Sequence, residues 1–222
     1  SCPKTRAYFP VMQARYRLGC VPYVNARPLV YWLESLGDAS PVEVVYQVPS
    51  RLPALLDEGS ADAVLVSSYE AYARPGARIA EGVCIASDGV VESVRLFSKV
   101  PFEQIQTLAL DTSSLTSNRL AQILLAERYG VKPEVKTLAP SLSDMLAEAD
   151  ACVLIGDIGM SASGEGLYVL DLGEAWTAHT GLPFVWALWV GGERLTPELA
   201  GLLNAARLMS YVGRNPDQGM QG

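Results

Sequence analysis

Apolar strand-like runs and helix-like runs alternate along nearly all of this 222-residue chain. That alternation restricts the fold more than any other feature. Strands are expected at 17–24, 42–47, 61–66, 83–86, 91–98, 108–110, 135–138, 151–155, 168–171 and 184–190. Helices are expected at 28–36, 49–58, 67–73, 118–129, 142–149, 173–180 and 199–211. Alternating β and α units specify a parallel or mixed sheet covered by helices on both faces. The β–α–β–α–β succession occurs twice, before and after about residue 98, with no low-complexity linker between. The long runs at 91–98 and 184–190 are the candidate crossovers. The expectation is an α/β protein of two lobes, 1–97 with 181–222 and an inserted 98–180, with a ligand cleft between them.

Half of the residues are hydrophobic, enough for a sizeable core, and the net charge is −7. An acidic balance argues against nucleic acid as a partner, because phosphate recognition needs a basic face. A run of about 18 apolar residues is missing, so no membrane span is expected. The segment SCPKTRAYFPVMQARY lacks the apolar centre of a secretion signal, and Met12 is a candidate natural start with 1–11 an extension. A lipoprotein role for Cys2 is disfavoured because a mature lipoprotein begins at its cysteine. Cys20, Cys84 and Cys152 lie in apolar strand-like runs without C-x-x-C spacing, which reads as buried reduced thiols in a cytoplasmic protein. His179 is the single histidine, so no metal site is expected.

The segment LGCVPYVNARPL, residues 18–29, reads as a strand that breaks at Asn25 and restarts as a helix at Pro28. Proline suits a first helical turn, where its missing N–H has no partner to lose. Asn25 then stands at the carboxyl end of a strand, where open α/β sheets bind ligands; the competing role is a helix cap. Ser67 and Ser68 follow the buried run ADAVLV in the same way. A second polar helix start is DTSSLTS, residues 111–117, where Thr112, Ser113, Ser114, Thr116 and Ser117 supply more hydroxyls than one cap needs. Free N–H groups and the positive end of a helix dipole suit a small anion. Ser93, in VESVRLFS, shares a strand face with Arg95 and Phe97 if the strand includes it. Asp157 follows ACVLIG at another strand end, either as a substrate contact or as a buried carboxylate bonded to backbone N–H groups. There is no nucleotide-binding or nucleophile-elbow motif, and no cofactor is expected. His179 reads as structural or exposed rather than catalytic.

The segments VPYVNARPL, ASDGVVESVRLFSK, LALDTSSLTSNRLAQILLAERYG, VLIGD and DLGEAWTAHTGLPFVWALWV together resemble the chorismate dehydratase family of the futalosine route to menaquinone. The resemblance runs in order from about Arg17 to Ala206. It implies a two-lobed type II periplasmic-binding-protein-like fold used as an enzyme. The substrate is then chorismate and the product 3-[(1-carboxyvinyl)oxy]benzoate. It implies that Asn25 and Ser93 are catalytic, and that the loop with Ser114, Leu115, Thr116 and Ser117 binds a carboxylate. Ser67, Ser68 and Asp157 complete the expected contacts. Asp111 and Leu115 stand where many relatives have Gly and Arg, which leaves anion capture to N–H groups and hydroxyls. The tail RNPDQGMQG stops short of where the family usually continues. Two alternatives share this fold, a solute-binding protein for a small carboxylate and the dihydroxynaphthoate synthase of the same pathway. The first should carry an export signal, and the second a catalytic histidine in another motif context.

Overall fold

Ten strands and eight α-helices follow one another along the described residues, 15–112 and 114–212, of a computed structural model. The strands are β1 Tyr16–Cys20, β2 Val42–Tyr46, β3 Ala63–Ser67, β4 Arg78–Ser87, β5 Val94–Ser98, β6 Thr107–Leu110, β7 Glu134–Thr137, β8 Ala151–Ile155, β9 Tyr168–Asp171 and β10 Phe184–Gly191. The helices are α1 Arg27–Ser35, α2 Leu52–Asp57, α3 Ser68–Ala73, α4 Leu115–Tyr129, α5 Leu142–Glu148, α6 Gly156–Ser161, α7 Leu172–Thr180 and α8 Pro197–Val212. The strands form two five-stranded sheets, ordered β2-β1-β3-β10-β4 and β7-β6-β8-β5-β9. Expectations made for residues 1–11, Cys2, Ser113 and 214–222 lie outside the described residues.

The chain divides into two compact units. One holds the residues up to Leu65, Arg78–Val83 and those from Trp189 onward; the other holds Val66–Ala77 and Cys84–Leu188. In the first, β1 runs parallel to β2 and β3. Gly19 is required there, since a Cβ would sit 2.7 Å from Val64 Cγ1 and 3.0 Å from Leu52 Cδ2. Leu29, Val30 and Leu33 make the buried stripe of α1, which packs on α8.

The second sheet is buried on both faces. Val94, Leu96, Leu108, Leu110 and Val153 pack with Leu120, Leu124 and Leu125 of α4 and Leu172 and Ala175 of α7. Their strand neighbours Phe97, Ala109, Cys152 and Leu154 form another cluster with Met145 of α5. Successive strand side chains point to opposite faces, so a strand with helices on both sides reads as an unbroken apolar run, as ACVLI does.

Several local expectations shift. The second unit is wider than 98–180, because β5 pairs antiparallel with both β8 and β9 and so lies inside the second sheet. β4 extends five residues before the expected start at 83. It is the outermost strand of the first sheet in the strand order, and Cys84 on it is exposed rather than buried. Helix α4 starts at Leu115, three residues before 118. Helix α6, absent from the sequence reading, follows β8 directly.

Candidate functional site

In the first unit, β1 ends at Cys20 and the chain turns through Val21–Ala26 into α1. The N–H groups of Ala26 and Arg27 donate to Tyr23 C=O at 3.1 and 3.3 Å. Pro28 lies in the first turn, as its missing N–H requires. Ala26 takes the N-cap position and no side chain caps the helix. Asn25 is therefore not the cap. Its side chain is exposed, and its amide makes no hydrogen bond among the described residues. Cys20, by contrast, is fully buried, and burial, with Glu34 adding to it, pushes its thiol up to about 12. A thiol held that high is no nucleophile at neutral pH.

In the second unit, two helix starts meet. Ser67 caps α3, its Oγ accepting from Glu70 N–H at 3.3 Å. Ser68 is buried, and its hydroxyl donates to Val185 C=O. Thr116 Oγ1 accepts from Tyr69 N–H at 3.1 Å, which ties the first turn of α3 to the first turn of α4. Ser114 Oγ donates to Ser117 Oγ at 2.7 Å, and among the described residues no side chain caps α4. The start of this 15-residue helix carries the positive end of its dipole, a setting that suits an anion. Leu115, at the first helical position, is about half exposed, whereas Thr116 and Ser117 are buried. The Arg119 guanidinium lies over the Tyr69 ring, 5.2 Å from its centroid. This places a cation against the first turn of α3. A pocket of about 370 Å³ opens before the start of α4, lined by Asp111, Thr112, Thr137, Leu138, Ala139 and Pro140 at the carboxyl ends of β6 and β7.

Ser93 precedes β5 instead of lying within it. The face-sharing holds for the other two residues, since Arg95 lies over the Phe97 ring at 5.0 Å. In the antiparallel pairing Val94 stands opposite Ile155, which sets Ser93 against the start of α6. β6 is parallel to β8, so the residues after β6, the residues after β8 and Ser93 all gather at one edge of the second sheet. Open α/β sheets bind ligands at this edge. Asp157 lies in the first turn of α6 and is exposed, not buried. Arg95 locks α6 down by donating to the carbonyls of Gly159, Met160 and Ala162. Gly159 packs closely there: a Cβ would sit 2.6 Å from Leu154 O and 2.9 Å from Ser93 O. His179 is exposed in the last turn of α7, where a basic group is favourable.

The structure thus brings Ser67, Ser68 and the Ser114–Ser117 turn together in the second unit, and sets Ser93 beside Gly156 and Asp157. Sequence reasoning missed Tyr69, Arg119 and Asp171. The pattern Asp171-x-x-Glu174 was a legible signal for the last of these, since it is the spacing of a capping box.

A family model described as menaquinone biosynthesis matches residues 16–212. The chorismate dehydratase of Thermus thermophilus is 31% identical over 210 residues, spanning 86% of this chain and 75% of that protein. The chorismate dehydratase of Campylobacter jejuni is 29% identical over 175 residues, spanning 76% of this chain and 64% of that protein. Among solved structures, the Archaeoglobus fulgidus protein AF1704 superposes with a TM-score of 0.64 at 17% identity, covering 93% of this chain and 80% of that one. The periplasmic aliphatic sulphonate binding protein SsuA of Escherichia coli superposes with a TM-score of 0.61 at 14% identity, covering 90% and 74%. At such identities the likeness is one of fold, and the fold is that of periplasmic binding proteins.

Proposed function

The chain belongs to the menaquinone-biosynthesis family, and on that premise we propose that it dehydrates chorismate to 3-[(1-carboxyvinyl)oxy]benzoate and water. The observation that carries this reading is the match to a chorismate dehydratase over most of both chains. The reaction class is that of a carbon–oxygen lyase. A hydroxyl leaves one ring carbon, a proton leaves the neighbouring carbon that bears the ether, and the ring becomes aromatic. Much of the driving force is therefore in the substrate. What the protein must do is bind a dianion, hold one ring pucker and assist departure of the hydroxyl.

The residue inventory suits those tasks. The uncapped start of α4 and its hydroxyls fit a carboxylate, and Arg119 adds a cation beside them. Asn25, with its free amide, and Ser93 are the candidates to hydrogen-bond the reacting edge. The enolpyruvyl carboxylate of the substrate takes the proton, so no protein histidine is needed as base. Oriented neutral donors supply several kcal/mol to such a barrier. The cytoplasm, where chorismate is made and thiols stay reduced, is the matching location.

The test is incubation of the protein with chorismate, followed by absorbance and mass. Conversion to an aromatic product lighter by one water supports the reading. Tight binding of chorismate with no turnover would point to the solute-binding role instead, and unchanged chorismate without binding would overturn both.

A further inference from the structure

The carboxylate of Asp171 does more than end a strand. As N-cap of α7 it accepts from Glu174 N–H at 3.0 Å. It also accepts from Val91 N–H at 3.1 Å and from Glu92 N–H at 2.7 Å. A helix cap needs one oxygen and one donor, whereas Asp171 engages both oxygens with three donors. The two extra donors belong to the turn that delivers Ser93. Ser93 N–H donates to Val91 C=O at 2.6 Å, closing a three-residue turn about Glu92. Glu92 has φ 59° and is alone among the described non-glycine residues in having a positive φ. Three-residue turns of this kind are rare and strained, and they persist only where the surroundings over-determine them. Asp171 supplies that constraint, and the close approach of Gly159 to Ser93 C=O supplies another.

We propose that Asp171 is a positioning residue for Ser93, holding the strained Val91–Ser93 turn to the start of α7 so that the Ser93 hydroxyl is fixed for the reaction. The proposal rests on Ser93 taking part in the dehydration.

A double-mutant cycle on the full chain with chorismate as substrate tests it. Asp171→Ser is the informative variant, because serine caps helices well but brings a single, shorter oxygen that cannot also hold Val91 and Glu92. Asp171→Ala serves beside it, and Asp171→Ser decides the matter if the alanine variant does not fold. The expected result for Asp171→Ser is a folded protein whose melting temperature falls by about a few degrees at most, with faster amide exchange at Val91 and Glu92. Its kcat falls about tenfold or more with KM within about twofold, the signature of an interaction that matters in the transition state. In a Ser93→Ala background the same substitution lowers kcat no further. An equal fold-loss in both backgrounds, or full kcat despite loosened amides, overturns the proposal. Full turnover by Ser93→Ala is a different outcome: it removes the role of Ser93 itself, and the positioning role with it.

Discussion

In the proposed reaction two neutral side chains, Asn25 and Ser93, face the reacting edge of the substrate. The Asn25 side chain makes no hydrogen bond among the described residues, so Asn25→Ala should leave the fold intact and lower turnover by roughly two to three decades, the usual cost of one positioned hydrogen bond. Ser93→Ala should do the same. His179→Phe should change turnover little, because His179 is exposed at the end of α7. Steady-state kinetics on the three variants checks this, and loss of activity in His179→Phe alone would restore a histidine base. Gly159 sets a steric limit rather than a chemical one. In Gly159→Ala the new methyl meets backbone oxygens of Leu154 and Ser93, neither of which is a flexible side-chain end. Overpacking of this kind costs about 1–3 kcal/mol, and the shift of the Ser93 turn should lower kcat as well. A variant with wild-type melting temperature and wild-type kcat would show that the α6–β5 contact gives way freely.

At the scale of elements, the proposed ligand contacts lie at the carboxyl ends of the parallel strands β6 and β8, and contacts that hold the fold lie at their amino ends. Asp150 belongs to the latter, just before β8. Burial acts to raise its carboxyl, but hydrogen bonds from Gln106 N–H, Thr107 N–H and the Thr107 hydroxyl, with the Lys99 charge, outweigh it and hold the group below the ordinary carboxylate range. A depressed carboxylate stabilises the fold above its unfolded value of about 3.9, and that contribution is lost as the pH falls through the folded value. Asp150→Asn should therefore destabilise the fold at pH 7, and the gap to wild type should narrow as the pH falls below about 4. Urea unfolding of both proteins at pH 7 and pH 3 measures it; an unchanged gap at acid pH would show that the loss is steric. Turnover should be unaffected, since Asp150 lies at the opposite end of β8 from Gly156 and Asp157.

For the whole molecule, the thiols report which parts are closed. Cys20 and Cys152 are fully buried, and burial pushes each up to about 12. Cys84 is exposed on β4. At pH 8 an alkylating reagent should modify Cys84 in the folded protein and reach Cys20 and Cys152 only in denaturant, as peptide mapping would read. Labelling of Cys152 as fast as Cys84 would mean that the two-sided core of the second sheet opens readily.

Periodicity and punctuation by themselves determined most of the elements, because strands buried on both faces leave unbroken apolar runs and glycines such as Gly130 and Gly181 end helices in the left-handed region. They also placed Ser67 and Asp157 between a buried strand and a helix, whereas β1 stops at Cys20 and leaves Asn25 in a turn beyond its strand. They could not determine where α4 begins, because the hydroxyls of DTSSLTS suit a loop and a first turn equally. Nor could they show that Cys84 faces outward, which follows from the place of β4 at the margin of its sheet. The antiparallel return of β5 beside β8, which brings Ser93 to Gly156 from 63 positions away in sequence, was decided only by tertiary structure. Strand pairing is a non-local choice, made by the packing of both faces and by groups such as Asp171 and Gly159, and local sequence carries no record of its partner.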